Sequence, residues 1–126
     1  MSPGKVLITG AAGFVGGHLM AHLTECGDEV IGVDRNPGGI DITDAASVNE
    51  LMERVKPRAI YHLAGWADVG GSWKAPVDAF RVNAEGTLNV LNAATDAGVE
   101  RVLAVSSADV YGKVDPTELP LSLIHI

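Results

Sequence analysis

The stretch Lys5-Val6-Leu7-Ile8-Thr9-Gly10-Ala11-Ala12-Gly13-Phe14-Val15-Gly16 decides how this chain folds. Its first five residues form a short apolar run rich in β-branched side chains, the pattern of a strand buried on both faces of a parallel sheet. From Phe14 onward, Val15, Leu19 and Leu23 recur at helical spacing, and Gly27 supplies the stop. Strand, glycine-rich turn, then helix is the arrangement that binds pyrophosphate. Gly10 would permit the tight turn, Gly13 would let backbone amides reach a phosphate, and Gly16 would let the helix pack close to the strand. The helix N-terminus adds partial positive charge. The spacing is G-x-x-G-x-x-G, not G-x-G-x-x-G.

Outward from the turn, Glu29–Val33 is a second buried strand that ends at Asp34. A carboxylate there accepts hydrogen bonds from the adenosine ribose hydroxyls and repels a 2′-phosphate, which favours NAD. The neighbouring Arg35 could pair with that phosphate, so NADP stays open. Asn36–Gly39 is loop, and Ile40-Asp41-Ile42 is expected as a third, very short strand. Thr43 or Asp44 can cap a helix to Val55, closed by Pro57. Arg58–Leu63 reads as a strand and Ala64–Gly71 as a glycine-rich loop. Pro76 suits the first turn of a long helix to Ala97, with Gly98 just past its end, and Arg101–Ser106 is the last strand. Strands and helices alternate with short connections. This predicts an α/β fold, a Rossmann-type doubly wound parallel sheet with strand order 3-2-1-4-5.

The chain has 126 residues, 47% of them hydrophobic and 20% charged, enough for one globular unit. Net charge is −7 with no Lys/Arg run, which argues against nucleic acid as a partner. One cysteine, Cys26, rules out an intrachain disulfide and points to a cytoplasmic protein. No segment has signal-peptide organisation, and none approaches the roughly eighteen apolar residues of a membrane span, so no membrane partner is expected. His18 and His22 stand one helical turn apart, half of a metal site, with no third ligand evident; no metal is predicted. Gly86, inside a predicted helix, costs about 1 kcal/mol against Ala, which points to close helix packing there.

These residues resemble the extended short-chain dehydrogenase/reductase family, the NAD-dependent epimerase/dehydratase group. Thr9–Gly16 matches its opening motif. Asp41-Ile42 is similar to its adenine-reading pair, and His62-Leu63-Ala64-Gly65 to the segment whose backbone runs beside the cofactor. Asn83-Ala84-Glu85-Gly86-Thr87 matches its Asn-x-x-Gly-Thr helix motif, where Asn83 would anchor a water or a backbone kink. Ser106–Gly112 matches the strand that delivers the catalytic hydroxyl. The resemblance implies that Gly10, Ala12, Gly13, Phe14, Val15, Gly16, Asp34, Arg35, Asp41, Ile42, Leu63, Ala64 and Gly65 bind the dinucleotide and that Ser107 is catalytic. It implies a nucleotide-sugar substrate and a parent protein that is a homodimer or larger.

Val69-Gly70-Gly71-Ser72-Trp73 resembles the sugar-side loop of GDP-mannose 4,6-dehydratases and GDP-6-deoxy-mannose reductases, placing Val69 and Ser72 beside the substrate. Hexose dehydratases carry a glutamate two residues after the catalytic hydroxyl; Asp109 stands there, one methylene shorter. Reductase or epimerase chemistry therefore ranks ahead of dehydration, and a non-catalytic dinucleotide-sensing regulator is a further alternative. The family's basic Tyr-x-x-x-Lys is not present: the fourth residue after Tyr61 is Gly65, and after Tyr111 it is Asp115.

The tail Leu121-Ser122-Leu123-Ile124-His125-Ile126 fits none of these patterns. It equals the in-frame translation of CTGTCTCTTATACACATC, a transposase end sequence used in sequencing libraries, and reads as adapter read-through. On this reading residues 1–120 are an incomplete dinucleotide-binding domain, cut before the last strands and the substrate domain. Such a fragment is expected to bind a dinucleotide without turning over.

Overall fold

Alternate residues of the first strand part to opposite faces of the sheet. In β1 (Lys5–Thr9), Val6 and Ile8 enter one apolar layer and Leu7 the other, all three at most 1% exposed. The computed structural model describes residues 3–122. Its elements are β1, α1 (Phe14–Glu25), β2 (Glu29–Val33), α2 (Ala45–Val55), β3 (Ala59–His62), α3 (Val69–Lys74), α4 (Pro76–Phe80), α5 (Gly86–Asp96) and β4 (Arg101–Ala104). A single π turn, Arg81–Glu85, joins α4 to α5, and short 3-10 turns follow at Ala108–Tyr111 and Pro116–Glu118.

The strands pair in parallel in the order β2-β1-β3-β4. Leu7 lies level with Ile31 on one side and Ile60 on the other, and Thr9 lies level with His62. On one face, Leu7 and Ile60 pack beneath α2 and α5 through Val48, Leu51, Met52, Val90 and Ala94. On the other, Val6, Ile8 and Ala59 pack beneath α1 through Leu23. Helices on both faces make the sheet doubly wound, and each fully buried Leu or Ile adds roughly 1.5–3 kcal/mol.

Local chemistry sets the element ends. Asp44 rather than Thr43 caps α2, its Oδ1 accepting the Ala46 amide at 3.2 Å. Pro57 follows the left-handed Lys56 that ends the same helix.

Four expectations are corrected. Ile40–Ile42 is not a strand, and the sheet has four strands among the described residues. Its backbone groups are engaged elsewhere: the Ile40 amide donates to the Asp34 carbonyl at 2.9 Å, and the Ile42 carbonyl accepts from the Asn89 side chain at 2.9 Å. The loop expected at 64–71 gives way to helix α3 from Val69, closed by amide bonds such as Ser72 to Asp68 at 3.0 Å. The long helix expected from Pro76 to Ala97 is interrupted by the π turn. Strand β4 ends at Ala104, although the Val105 amide still donates to the His62 carbonyl at 3.2 Å.

Gly86 does mark close packing, since a Cβ there would stand 2.6 Å from Cδ1 of Ile42. Of the tail read as adapter, Leu121 and Ser122 have no regular structure, and Leu123–Ile126 lie outside the described residues. Among the described residues no helix is long and apolar enough to cross a membrane, and no three His, Cys, Asp or Glu residues are grouped to hold a metal ion.

Candidate functional site

The turn after β1 is shaped by two contacts that exclude a side chain. Gly10 adopts φ 71°, and a Cβ on it would stand 2.7 Å from the Ala64 amide nitrogen. A Cβ on Gly16 would meet the Gly10 carbonyl oxygen at 2.5 Å. Strand, turn and helix are therefore pressed together at backbone level. The turn is closed by the Gly13 amide donating to the Gly10 carbonyl at 3.1 Å. No side chain caps α1 and no acidic residue occupies its first turn, so its N-terminal amides stay open to an anion.

Those amides border a cleft of about 570 Å³, lined by Gly10, Gly13–Gly16, Asp34, Arg35, Ile40–Ile42, Leu63–Asp68 and Val82. Asp34 stands at one end. Its Oδ2 accepts the Ala12 amide at 2.8 Å and its Oδ1 the Arg35 amide at 2.7 Å. The carboxylate thus braces the turn, and each oxygen keeps a lone pair for a ligand hydroxyl. Asp41 presents a second carboxylate. The Thr43 hydroxyl and amide both donate to its Oδ1, at 2.7 and 2.9 Å, and hold its pKa below the usual carboxylate value, with Arg35 and Arg81 adding attraction. Asn89 and Gly86 of α5 seat the neighbouring Ile42, which is buried.

The opposite wall, Leu63–Ala67, also borders a second cavity of about 520 Å³ that contains Val69, Asn83, Thr87, Val105, Ser106 and Ser107. Asn83 pins this wall: its Oδ1 accepts the Trp66 amide at 2.7 Å and its Nδ2 donates to the Trp66 carbonyl at 3.2 Å. Asn83 lies in the π turn, a local widening of the helix that is frequent at functional sites. Ser107 follows β4, at the carboxyl ends of the strands, where open α/β sheets bind ligands. Its Oγ accepts the Asp109 amide at 3.2 Å, leaving the hydroxyl proton to be donated.

The cleft gathers every expected cofactor residue except Ala12, whose amide is engaged by Asp34. Val69 and Ser107 share the second cavity. Ser72 lines neither; its hydroxyl donates to the Val69 carbonyl at 2.7 Å. Asp109 borders a separate depression with Tyr111 and Leu119. Sequence reasoning missed Ile40, Trp66–Asp68 and Val82, which carry no motif signal of their own. It also missed the bracing role of Asp34, which requires Ala12 and Asp34, 22 residues apart, to meet.

Residues 6–123 match the model of the NAD dependent epimerase/dehydratase family. The chain is 33% identical to the UDP-glucose 4-epimerase of Mus musculus, an alignment covering 96% of this chain and 42% of the relative. Among solved structures it resembles the Thermus thermophilus UDP-glucose 4-epimerase complex with NAD, with TM-score 0.81, 33% identity, and coverage of 90% of this chain and 41% of the other. It also resembles the dTDP-4-dehydrorhamnose reductase of Bacillus anthracis in complex with NADP, with TM-score 0.73, 28% identity, and coverage of 80% and 35%. The chain thus spans about two fifths of the curated relatives it matches.

Proposed function

The chain belongs to the NAD-dependent epimerase/dehydratase family, and from that premise we propose that it is the dinucleotide-binding part of an NAD(P)-dependent enzyme acting on a nucleotide-activated sugar. One observation carries the reading. A cleft with two carboxylates at one end and open helix amides beside it shares the wall Leu63–Ala67 with the cavity of Ser107. A dinucleotide laid along it would place its adenosine at Asp34 and Asp41, its pyrophosphate at Gly13–Gly16 and its nicotinamide toward Ser107. Asp34 favours NAD, while Arg35 on the same rim keeps NADP accessible.

Bound NAD would supply a hydride acceptor for sugar oxidation and, once reduced, a hydride donor for ketone reduction. Ser107 would orient the sugar oxygen by a hydrogen bond from its hydroxyl without giving up the proton, the Asp109 amide fixing the orientation of Oγ. Ketone reduction or 4-epimerisation is favoured over dehydration because Asp109 borders a different depression from Ser107, and the names of the relatives accord with this. Moving the one proton that accompanies the hydride takes a tyrosine with a neighbouring lysine to lower its pKa, and no Tyr-x-x-x-Lys occurs in these 126 residues. We therefore expect cofactor binding without turnover.

Calorimetric titration of the folded chain with NADH and NADPH tests the reading. One-to-one binding, tighter for NADH, is expected, with no conversion of UDP-glucose. A cooperatively folded chain that binds neither dinucleotide would overturn it.

A further inference from the structure

Three polar side chains from three elements meet between the sheet and α5, two of them buried and Thr87 on the wall of the Ser107 cavity, and the reaction proposed above uses none of them. Thr9 ends β1, His62 ends β3 and Thr87 lies in the first turn of α5. Parallel pairing sets Thr9 level with His62, with Oγ1 of Thr9 2.7 Å from Nδ1 of the ring. Nε2 of the same ring stands 3.0 Å from Oγ1 of Thr87. The Ala64 amide donates to Oγ1 of Thr9 at 3.2 Å. Thr9 is 2% exposed and His62 3%.

Hydrogen-bond capacity decides which way the protons run. A threonine hydroxyl has one proton to donate, and a neutral imidazole has one donor and one acceptor nitrogen. Thr9 already accepts from Ala64, and among the described residues its proton has one acceptor within reach, Nδ1 of His62. Nδ1 therefore accepts, the ring proton sits on Nε2, and Nε2 donates to Thr87. The other tautomer, like the cation, would leave the buried Thr9 proton without an acceptor. Burial also holds the pKa of His62 below its usual 6.5.

We propose that His62 is a positioning residue for the dinucleotide: through Thr9 it holds the Ala64 amide, and through Thr87 it ties that wall of the cleft to helix α5. This rests on the dinucleotide reading above. The wall it holds is the one against which Gly10 is pressed, so a displaced Ala64 moves the phosphate turn as well. Thr87 makes no hydrogen bond to the turn or to the Leu63–Gly65 wall, yet its loss is transmitted to both through the ring.

The test uses the whole 126-residue chain with Thr87→Val, Thr87→Ala, Thr87→Ser, Thr9→Val and the double variant Thr9→Val/Thr87→Val, each titrated with NADH. Thr87→Val and Thr87→Ala should weaken NADH about three- to tenfold and Thr87→Ser less than twofold. The double variant should bind no more weakly than Thr9→Val alone, because both changes break one chain of bonds. Wild-type affinity in the Thr87 variants, or losses that multiply in the double variant, would overturn the proposal. An independent readout needs no cofactor: nitrogen-15 NMR of the free chain should show His62 with its proton on Nε2. A proton on Nδ1 would overturn the proposal whether or not NADH binds. A chain with the Nε2–H ring that binds no NADH would defeat the dinucleotide reading, and the positioning role with it, while leaving the proton assignment intact.

Discussion

Replacing Gly16 with alanine tests the turn most directly, because its neighbour Gly17 provides a control in the same helix. A Cβ at Gly16 would stand 2.5 Å from the Gly10 carbonyl oxygen and 2.6 Å from that of Ala11. Both obstacles are backbone atoms of the turn, so relief requires α1 to retreat from the turn by roughly half an ångström. A Cβ at Gly17 would meet nothing within 4 Å. Either substitution gains about 1 kcal/mol of helix propensity over glycine. Only Gly16→Ala also carries an overpacking cost, typically about 1–3 kcal/mol. The propensity gain cancels between the two variants, so the difference isolates the steric effect. At about 4 °C per kcal/mol for a domain of this size, Gly16→Ala should melt about 4–12 °C below Gly17→Ala. NADH affinity should fall about tenfold in Gly16→Ala alone, because the helix N-terminus moves off the phosphate. Differential scanning calorimetry with NADH titration measures both quantities. If Gly16→Ala melts with Gly17→Ala and binds equally well, the close approach of helix to turn does not govern the site.

Exchanging Asp34 for asparagine keeps one oxygen to accept a backbone amide but removes the charge that would face a 2′-phosphate, so the ratio of NADPH to NADH affinity should rise about tenfold; an unchanged ratio in parallel titrations would remove Asp34 from cofactor choice. His62 is buried and its pKa lies below 6.5, so the unfolded chain takes up the proton first. Its contribution to stability is complete above about pH 6.5 and is lost as pH falls from there through the folded-state pKa. Urea midpoints measured from pH 7.5 to 5 should therefore decline less steeply in His62→Gln than in the wild type, and parallel slopes would refute the assignment. Among the described residues β4 pairs only with β3, and Leu103 and Val105 are 52% and 61% exposed beside its open edge. The 126-residue chain should therefore self-associate in ultracentrifugation, and Leu103→Lys should reduce the association. A monodisperse wild-type monomer would count against it.

What the sequence determined by itself is whatever depends on near neighbours along the chain. The apolar runs at Lys5–Thr9 and Glu29–Val33, the glycine spacing of the turn, and the close of α2 before Pro57 are local signals, and each appears where the pattern placed it, while the strand expected over Arg101–Ser106 appears two residues shorter. Strand alternation with helices fixed the doubly wound class for the same reason. Tertiary structure alone decided what long-range partners impose. Ile40–Ile42 has strand-like residues, but Asn89, 47 positions beyond Ile42, takes a carbonyl and holds the segment as loop. The backbone at Arg81–Glu85 opens into a π turn while Asn83 holds Trp66, 17 positions earlier. The glycine turn itself carries the same division. Its sequence announces an anion site, yet the brace from Asp34 to Ala12 and the chain from Ala64 through Thr9 and His62 to Thr87 exist only once β1, β2, β3 and α5 are side by side. Hydrogen-bond partners separated by tens of residues leave no periodicity behind, and so only the folded chain reveals them.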